Sequence, residues 1–228
     1  GQAEFLSASY QVITPDLRGH GETTVTETAT MEEMALDVAA LLDELKIERA
    51  LIGGLSMGGY VTLAFYKKFP QRVRALILAD TRPQADTNEA KQAREQQALK
   101  ALKEGMSPIA ETMLPKVLAP GTIDEQPEVV ARVREMMLSM KPQGTAAALR
   151  GMAAREDHTK LLSQINVPTL IIVGSEDRIT PPDVSEAMQR EIRGSRLEII
   201  EGAGHVSNLE RPAEFNRALR KFLDSLSN

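Results

Sequence analysis

Gly54-Leu55-Ser56-Met57-Gly58 sits where the apolar run Ala50 to Gly53 gives way to an amphipathic stretch from Tyr60 to Phe69. A strand, a sharp turn and a helix must follow one another there with almost no connecting chain, which leaves few folds open. Small residues beside the serine let strand and helix approach closely while the hydroxyl is pushed into the open, the position of a nucleophile. The bland alternative is a glycine-rich turn that offers a helix N-terminus to an anion. Nucleotide-binding patterns fit worse: Gly53-Gly54-Leu55-Ser56-Met57-Gly58-Gly59 lacks the G-x-G-x-x-G spacing and has no Gly-Lys-Ser/Thr end.

Strand and helix patterns alternate along the rest of the chain. Tyr10 to Pro15 reads as a short strand, closed by the glycine-rich turn Asp16-Leu17-Arg18-Gly19-His20-Gly21. Thr30 and Glu33 have capping-box spacing, and Met34, Val38, Leu41, Leu42 and Leu45 follow at helical intervals. The helix after the serine stops at Phe69-Pro70, and Val73 to Ala79 is a buried strand. Thr169 to Gly174 is another strand. A helix then carries Val184, Ala187, Met188 and Ile192, Arg196 to Glu201 is the last strand, and a terminal helix starts at Pro212. This alternation predicts an α/β fold, a mostly parallel sheet with helices on both faces.

Residues 82–156 break the alternation. They contain no strand run but several helices, one over Asn88 to Glu104 and one after Pro127, so they form an inserted helical cap or lid between core segments 1–81 and 157–228. Six of the ten methionines lie in it, namely Met106, Met113, Met136, Met137, Met140 and Met152. They either pack cap against core or line an adaptable apolar pocket; Met136 and Met140 are pocket candidates together with His20, Leu55 and Val206.

Composition narrows the function. A formal charge of −5 over 228 residues, with both signs interleaved, leaves no basic face for nucleic acid or an anionic membrane. No apolar run approaches the roughly 18 residues of a membrane span, and nothing resembles a signal peptide. The absence of cysteine excludes disulfides and thiol catalysis and is compatible with a cytoplasmic location, which we expect. With three histidines and no cysteine, neither a metal site nor a cofactor is expected. The chain starts at Gly1, and Gln2 to Ser7 reads like the end of a helix, so we expect further sequence upstream.

A serine hydroxyl needs a base within hydrogen-bond reach, usually an imidazole held in one tautomer by a carboxylate. His205, in Gly202-Ala203-Gly204-His205 directly after the last strand, lies where a parallel sheet exposes its carboxyl ends. His20 borders the same face or is structural, and His158 reads as a surface or hinge residue. Asp177 follows the strand end at Gly174 and emerges on the same rim; Asp80 is the competing carboxylate and Glu176 a weaker one.

Four segments then resemble the α/β-hydrolase fold family from end to end. They are Asp16 to Gly21, Gly54 to Gly59, Gly174-Ser175-Glu176-Asp177 with Thr180-Pro181, and Gly204-His205 with Asn208-Leu209-Glu210-Arg211-Pro212. The finer likeness is to small bacterial esterases and 3-oxoadipate enol-lactonases. The resemblance implies a serine hydrolase of a small carboxylic ester, thioester or lactone. Ser56 would attack, His205 would relay the proton, Asp177 would stabilise the imidazolium, and the Met57 backbone N–H would form part of an oxyanion hole. It also implies a second oxyanion donor on the loop after an earlier strand, one that sits in the sheet between Tyr10–Pro15 and the strand before Ser56, and no such segment precedes Tyr10. The sequence is then a fragment of a longer hydrolase, which we favour, or the sheet has closed up, or another chain or a second copy fills the place. Alternatives to ester hydrolysis are a non-catalytic binding or assembly protein on this scaffold, and C–C bond hydrolysis or perhydrolysis with the same triad.

Overall fold

A computed structural model describes residues 1–226. Its sheet has four strands, β1 (Ala50–Leu55), β2 (Val73–Ala79), β3 (Thr169–Gly174) and β4 (Arg196–Ile200), all parallel and side by side in that order. Because side chains alternate along a strand, each strand feeds two cores. Leu76, Leu78 and Ile171 face one side, with Met34 of α2 (Met31–Glu44), Leu63 and Phe65 of α3 (Met57–Lys68) and Met188 of α9 (Pro182–Glu191). Ala75, Ala79, Leu170, Ile172 and Ile200 face the other, against Phe215, Leu219 and Phe222 of α11 (Pro212–Asp224); Leu6 of α1 (Gln2–Ser7) packs there too. The expected capping box starts α2: the Glu33 N–H donates to Thr30 Oγ1 at 3.2 Å and the Thr30 N–H to Glu33 Oε2 at 2.9 Å.

β3 is buried along its whole length, whereas no residue of β1 is. The expected strand at Tyr10 to Pro15 does not form. Those residues are irregular, Tyr10 and Ile13 are more than a third exposed, and β1 pairs with β2 alone. A strand is stable only when its N–H and C=O groups meet a ladder, and none of the described residues stands beside this segment to supply one. The sheet has therefore not closed up around that position.

Between β2 and β3 run five helices, called the cap below: α4 (Asn88–Glu104), α5 (Ser107–Val117), α6 (Pro120–Glu125), α7 (Pro127–Leu138) and α8 (Pro142–Ala154). Helices α4 and α8 pack through Ala98, Ala146 and Leu149, and Arg150 grips Glu95 with two hydrogen bonds of 3.0 and 2.9 Å. Both chain passages into the cap are gathered by Arg155, which is 4% exposed. It pairs with Asp86 at 2.8 Å, donates to the carbonyls of Gln84 and Met152, and stacks 4.2 Å over the Tyr60 ring of α3. Burial pushes the Asp86 carboxyl up, but its bonds to Arg94 and Arg155 outweigh that and hold it below the usual carboxylate range. No helix among the described residues is long and apolar enough to cross a membrane.

Candidate active site

Ser56 joins β1 to α3 with φ 53° and ψ −112°, a left-handed backbone that costs an L-residue energy and persists only where its surroundings over-determine it. The Ser56 N–H donates to the Ala79 carbonyl of β2 at 2.9 Å. Its own carbonyl accepts from the Gly59 N–H at 2.9 Å and the Thr81 hydroxyl at 2.8 Å. The steric demand falls on one motif glycine only: a Cβ at Gly54 would stand 2.1 Å from the Gly58 carbonyl carbon, while a Cβ at Gly58 would meet nothing. Gly59, just outside the motif, is pressed against the Thr81 side chain instead.

His205 lies in the loop after β4, and its Nε2 is 2.7 Å from Ser56 Oγ. Its Nδ1 is 2.8 Å from Asp177 Oδ2, so the three side chains that the sequence placed on one rim do meet there. Asp177 Oδ1 accepts from the Ile179 and Thr180 N–H groups at 2.8 and 3.0 Å, and Oδ2 accepts from the Thr180 hydroxyl at 2.6 Å. Asp177 is 2% exposed and His205 4%. Burial pushes the Asp177 carboxyl up, yet the hydrogen bond and charge of His205, then the Thr180 bonds, carry it below the usual carboxylate range. An ionised, fully bonded carboxylate at this place fixes a proton on Nδ1 and leaves Nε2 free to accept one from the serine. The Met57 N–H, at the start of α3 beside Ser56, finds no acceptor among the described residues, and the helix dipole adds to its pull on a negative oxygen.

The competing carboxylate has another task. Asp80, fully buried, does not bond His205; its Oδ1 accepts from the Gly174 N–H at 2.9 Å and its Oδ2 from the Ser207 hydroxyl at 2.6 Å. One side chain thus ties the end of the strand before Asp177 to the turn after His205. Burial, opposed only in part by those bonds and reinforced by the charge of Asp177, raises the Asp80 carboxyl well above the usual carboxylate range. Glu176 is exposed and engages only its backbone, to Ala203.

The other candidates separate. His20 is half-buried in its loop, bonded to Arg18 and Thr23 and to neither Ser56 nor His205; the loop rests on the cap, with Gly19 against Gly144 of α8. His158, expected at the surface or a hinge, is not at the surface: it is 5% exposed and donates its N–H to the Pro83 carbonyl, which ties the two chain passages at the cap together. Burial, then the charge of Lys67, pushes its imidazole below the usual histidine range. Met136 is 51% exposed and joins no apolar cluster, so its place in a pocket is not supported: the packed face of α7 is carried by Val133 and Met137. Met140 packs with Met106 and Ile109, Leu55 with the α11 core, and Val206 with the α5 and α7 side chains. Five of the six cap methionines thus serve packing. Among the described residues no group of three or more His, Asp or Glu side chains could hold a metal ion.

Two site residues had no functional reading in the sequence. Thr180 bonds Asp177, and its local signals are its spacing of three after that aspartate and its place before Pro181 in a family-like segment. Glu210, 1% exposed on the single-turn helix α10 (Ser207–Glu210), stands in the family-like segment Asn208 to Pro212, but nothing local marks its reach to the Gly204 N–H six residues back and to the distant Ala119 N–H.

This serine turn, its parallel sheet and the Ser56–His205–Asp177 contacts at its carboxyl rim belong together in one class, and residues 1–212 match the sequence profile of the alpha/beta hydrolase fold. The chain belongs to the α/β-hydrolase family and is a hydrolase. Among curated relatives, 3-oxoadipate enol-lactonase 2 of Acinetobacter baylyi is 33% identical over 219 residues, 96% of this chain and 80% of the relative. Among solved structures, a thermophilic esterase from Thermogutta terrifontis is 43% identical and superposes with a TM-score of 0.96 over 100% of this chain and 84% of that one. The enol-lactonase from Burkholderia xenovorans superposes at 0.90, with 31% identity over 98% of this chain and 84% of that one.

Proposed function

We propose that this chain is a serine hydrolase that cleaves a small carboxylic ester, thioester or lactone through an acyl-serine intermediate. The observation that carries the reading is one imidazole bridging a strained serine at 2.7 Å and a buried aspartate at 2.8 Å. Ser56 Oγ attacks the carbonyl carbon as His205 Nε2 takes its proton. Asp177 stabilises the imidazolium, and His205 returns the proton to the leaving oxygen or sulfur. Water, activated by the same imidazole, then releases the acid and restores Ser56. The Met57 N–H holds the carbonyl oxygen as it becomes negative. The cap over residues 82–156 acts as a lid, and the names of the esterase and lactonase relatives support a small substrate.

Hydrolysis of short p-nitrophenyl esters tests this. Ser56→Ala should lower kcat by ~10⁶-fold, to the residual level left by the oxyanion donor and binding, and a fluorophosphonate probe should label the parent but not the variant. A folded parent that turns over no ester and takes no label would instead favour the non-catalytic binding protein.

A further inference from the structure

The loop that carries His205 is fastened to the cap as firmly as to the core. The His205 N–H donates to the Val117 carbonyl at the end of α5, at 2.9 Å. One residue earlier, the Gly204 N–H donates to Glu210 Oε1 at 2.9 Å, while the other oxygen, Oε2, accepts from the Ala119 N–H at 2.8 Å. The strands of chain are in contact here: a Cβ on Gly204 would stand 2.6 Å from the Ala119 nitrogen and 2.8 Å from the Leu118 carbonyl carbon. Val206 and Leu209 extend the contact by packing into the cap cluster of Leu114, Val117, Leu118 and Val133, which Ile179 joins from the loop after Asp177. Ser56, by comparison, takes its backbone bonds from β2, α3 and Thr81 of the core.

On the serine hydrolase reading above, we propose that Glu210 is a positioning residue for His205. By holding the Gly204 and Ala119 N–H groups on one carboxylate, it makes the seating of the Val117–Ala119 corner part of what keeps Nε2 within reach of Ser56. Both N–H groups are buried, and each would go unsatisfied without it, so the carboxylate defines a single relative placement of the corner and the loop. Glutamine cannot replace it: its one oxygen serves one N–H, and its NH2 faces the other donor to donor. The corner therefore stays docked during turnover, and any opening that admits substrate comes from elsewhere in the cap.

Two variants test this. Glu210→Gln breaks the clamp at its centre. Ala119→Pro removes the cap-side donor and sets its ring Cδ against the Glu210 carboxylate, which must shift, at a site whose φ of −65° already suits proline, after an extended Leu118 at φ −105° and ψ 144°. The readouts are kcat and KM on a p-nitrophenyl ester, and the low-field Nδ1–H proton line of His205, assigned by its loss in His205→Ala. In Glu210→Gln we expect kcat to fall about 10- to 10²-fold with KM within about threefold, the signature of a misaligned base. The His205 line should shift or broaden. Ala119→Pro should move the same line, with a kcat loss of about 3- to 10-fold. An unchanged His205 line in folded Glu210→Gln overturns the proposal, whatever happens to melting temperature; if that variant does not fold, an unchanged line in Ala119→Pro does so. Failure of the hydrolase reading looks different, since a parent without esterase activity or label leaves the comparison of proton lines intact.

Discussion

Ser56 is held by backbone geometry: a left-handed φ, carbonyl and amide bonds to β2 and α3, and a glycine at 54 that lets Gly58 pass 2.1 Å from where a Cβ would be. His205 is held by carboxyl groups. Asp177 grips its ring, Glu210 its loop, and Asp80 the turn that follows, all three almost fully buried. The serine half tolerates few residue types because it is crowded. The histidine half tolerates few because each acid satisfies two or more groups that have no other partner. Exchanging Asp177 probes the second kind of support most sharply. Asp177→Asn keeps the shape and, through its remaining oxygen, the Ile179 and Thr180 N–H contacts, but presents an NH2 to Nδ1. The imidazole must then carry its proton on Nε2, facing the serine it should deprotonate. A loss of ~10⁴-fold in kcat is expected, with folding retained by circular dichroism. Near-normal turnover would mean that the ring is not held by this acid.

The crowded half has its own test. Gly54→Ala forces a methyl into the Gly58 backbone, and since that backbone cannot yield as a flexible side chain would, a loss of about 3 kcal/mol or more is expected. Gly58→Ala, four residues on in the same motif, places its methyl in open space at the start of α3 and should stabilise by about 0.5 to 1 kcal/mol. Urea titration of both variants separates them. Equal losses would show that the motif is constrained by something other than the close approach at Gly54.

The same contrast explains what could be read from the residues alone. The serine turn is visible because crowding restricts composition locally, within six residues of chain. From α2 onward the strand and helix boundaries follow from apolar runs, proline stops and the Thr30 to Glu33 box. Tyr10 to Pro15 misleads because its pattern suits a strand, yet a strand also needs a neighbour, which no local pattern encodes. The carboxylate tethers are invisible for a related reason. Glu210 reaches Ala119 across 91 positions, and Asp80 reaches Gly174 and Ser207 across 94 and 127, so no spacing announces them. The cap methionines show the limit of composition: Met136 and Met137 are adjacent and alike, but one is exposed and the other packed because α7 has only one covered face.

Asp80 offers the mildest perturbation of the histidine half, and its effect has a sign. Its folded carboxyl holds a proton to higher pH than the unfolded chain does, because burial outweighs its two hydrogen bonds. Once the pH passes the unfolded carboxylate's value of about 4, the unfolded state releases that proton while the folded state keeps it. Stability therefore falls as pH rises, by at most ~1.4 kcal/mol per unit while the one-proton difference lasts. Asp80→Asn removes that slope and keeps both contacts, since its oxygen can accept from Gly174 and its NH2 can donate to the Ser207 hydroxyl. Denaturant titrations at pH 4.5, 6 and 7.5 should show the variant gaining on the parent as pH rises. Parallel curves would mean that Asp80 is ionised in the fold, so that its two hydrogen bonds outweigh its burial and it resembles Asp177 more closely than burial implies.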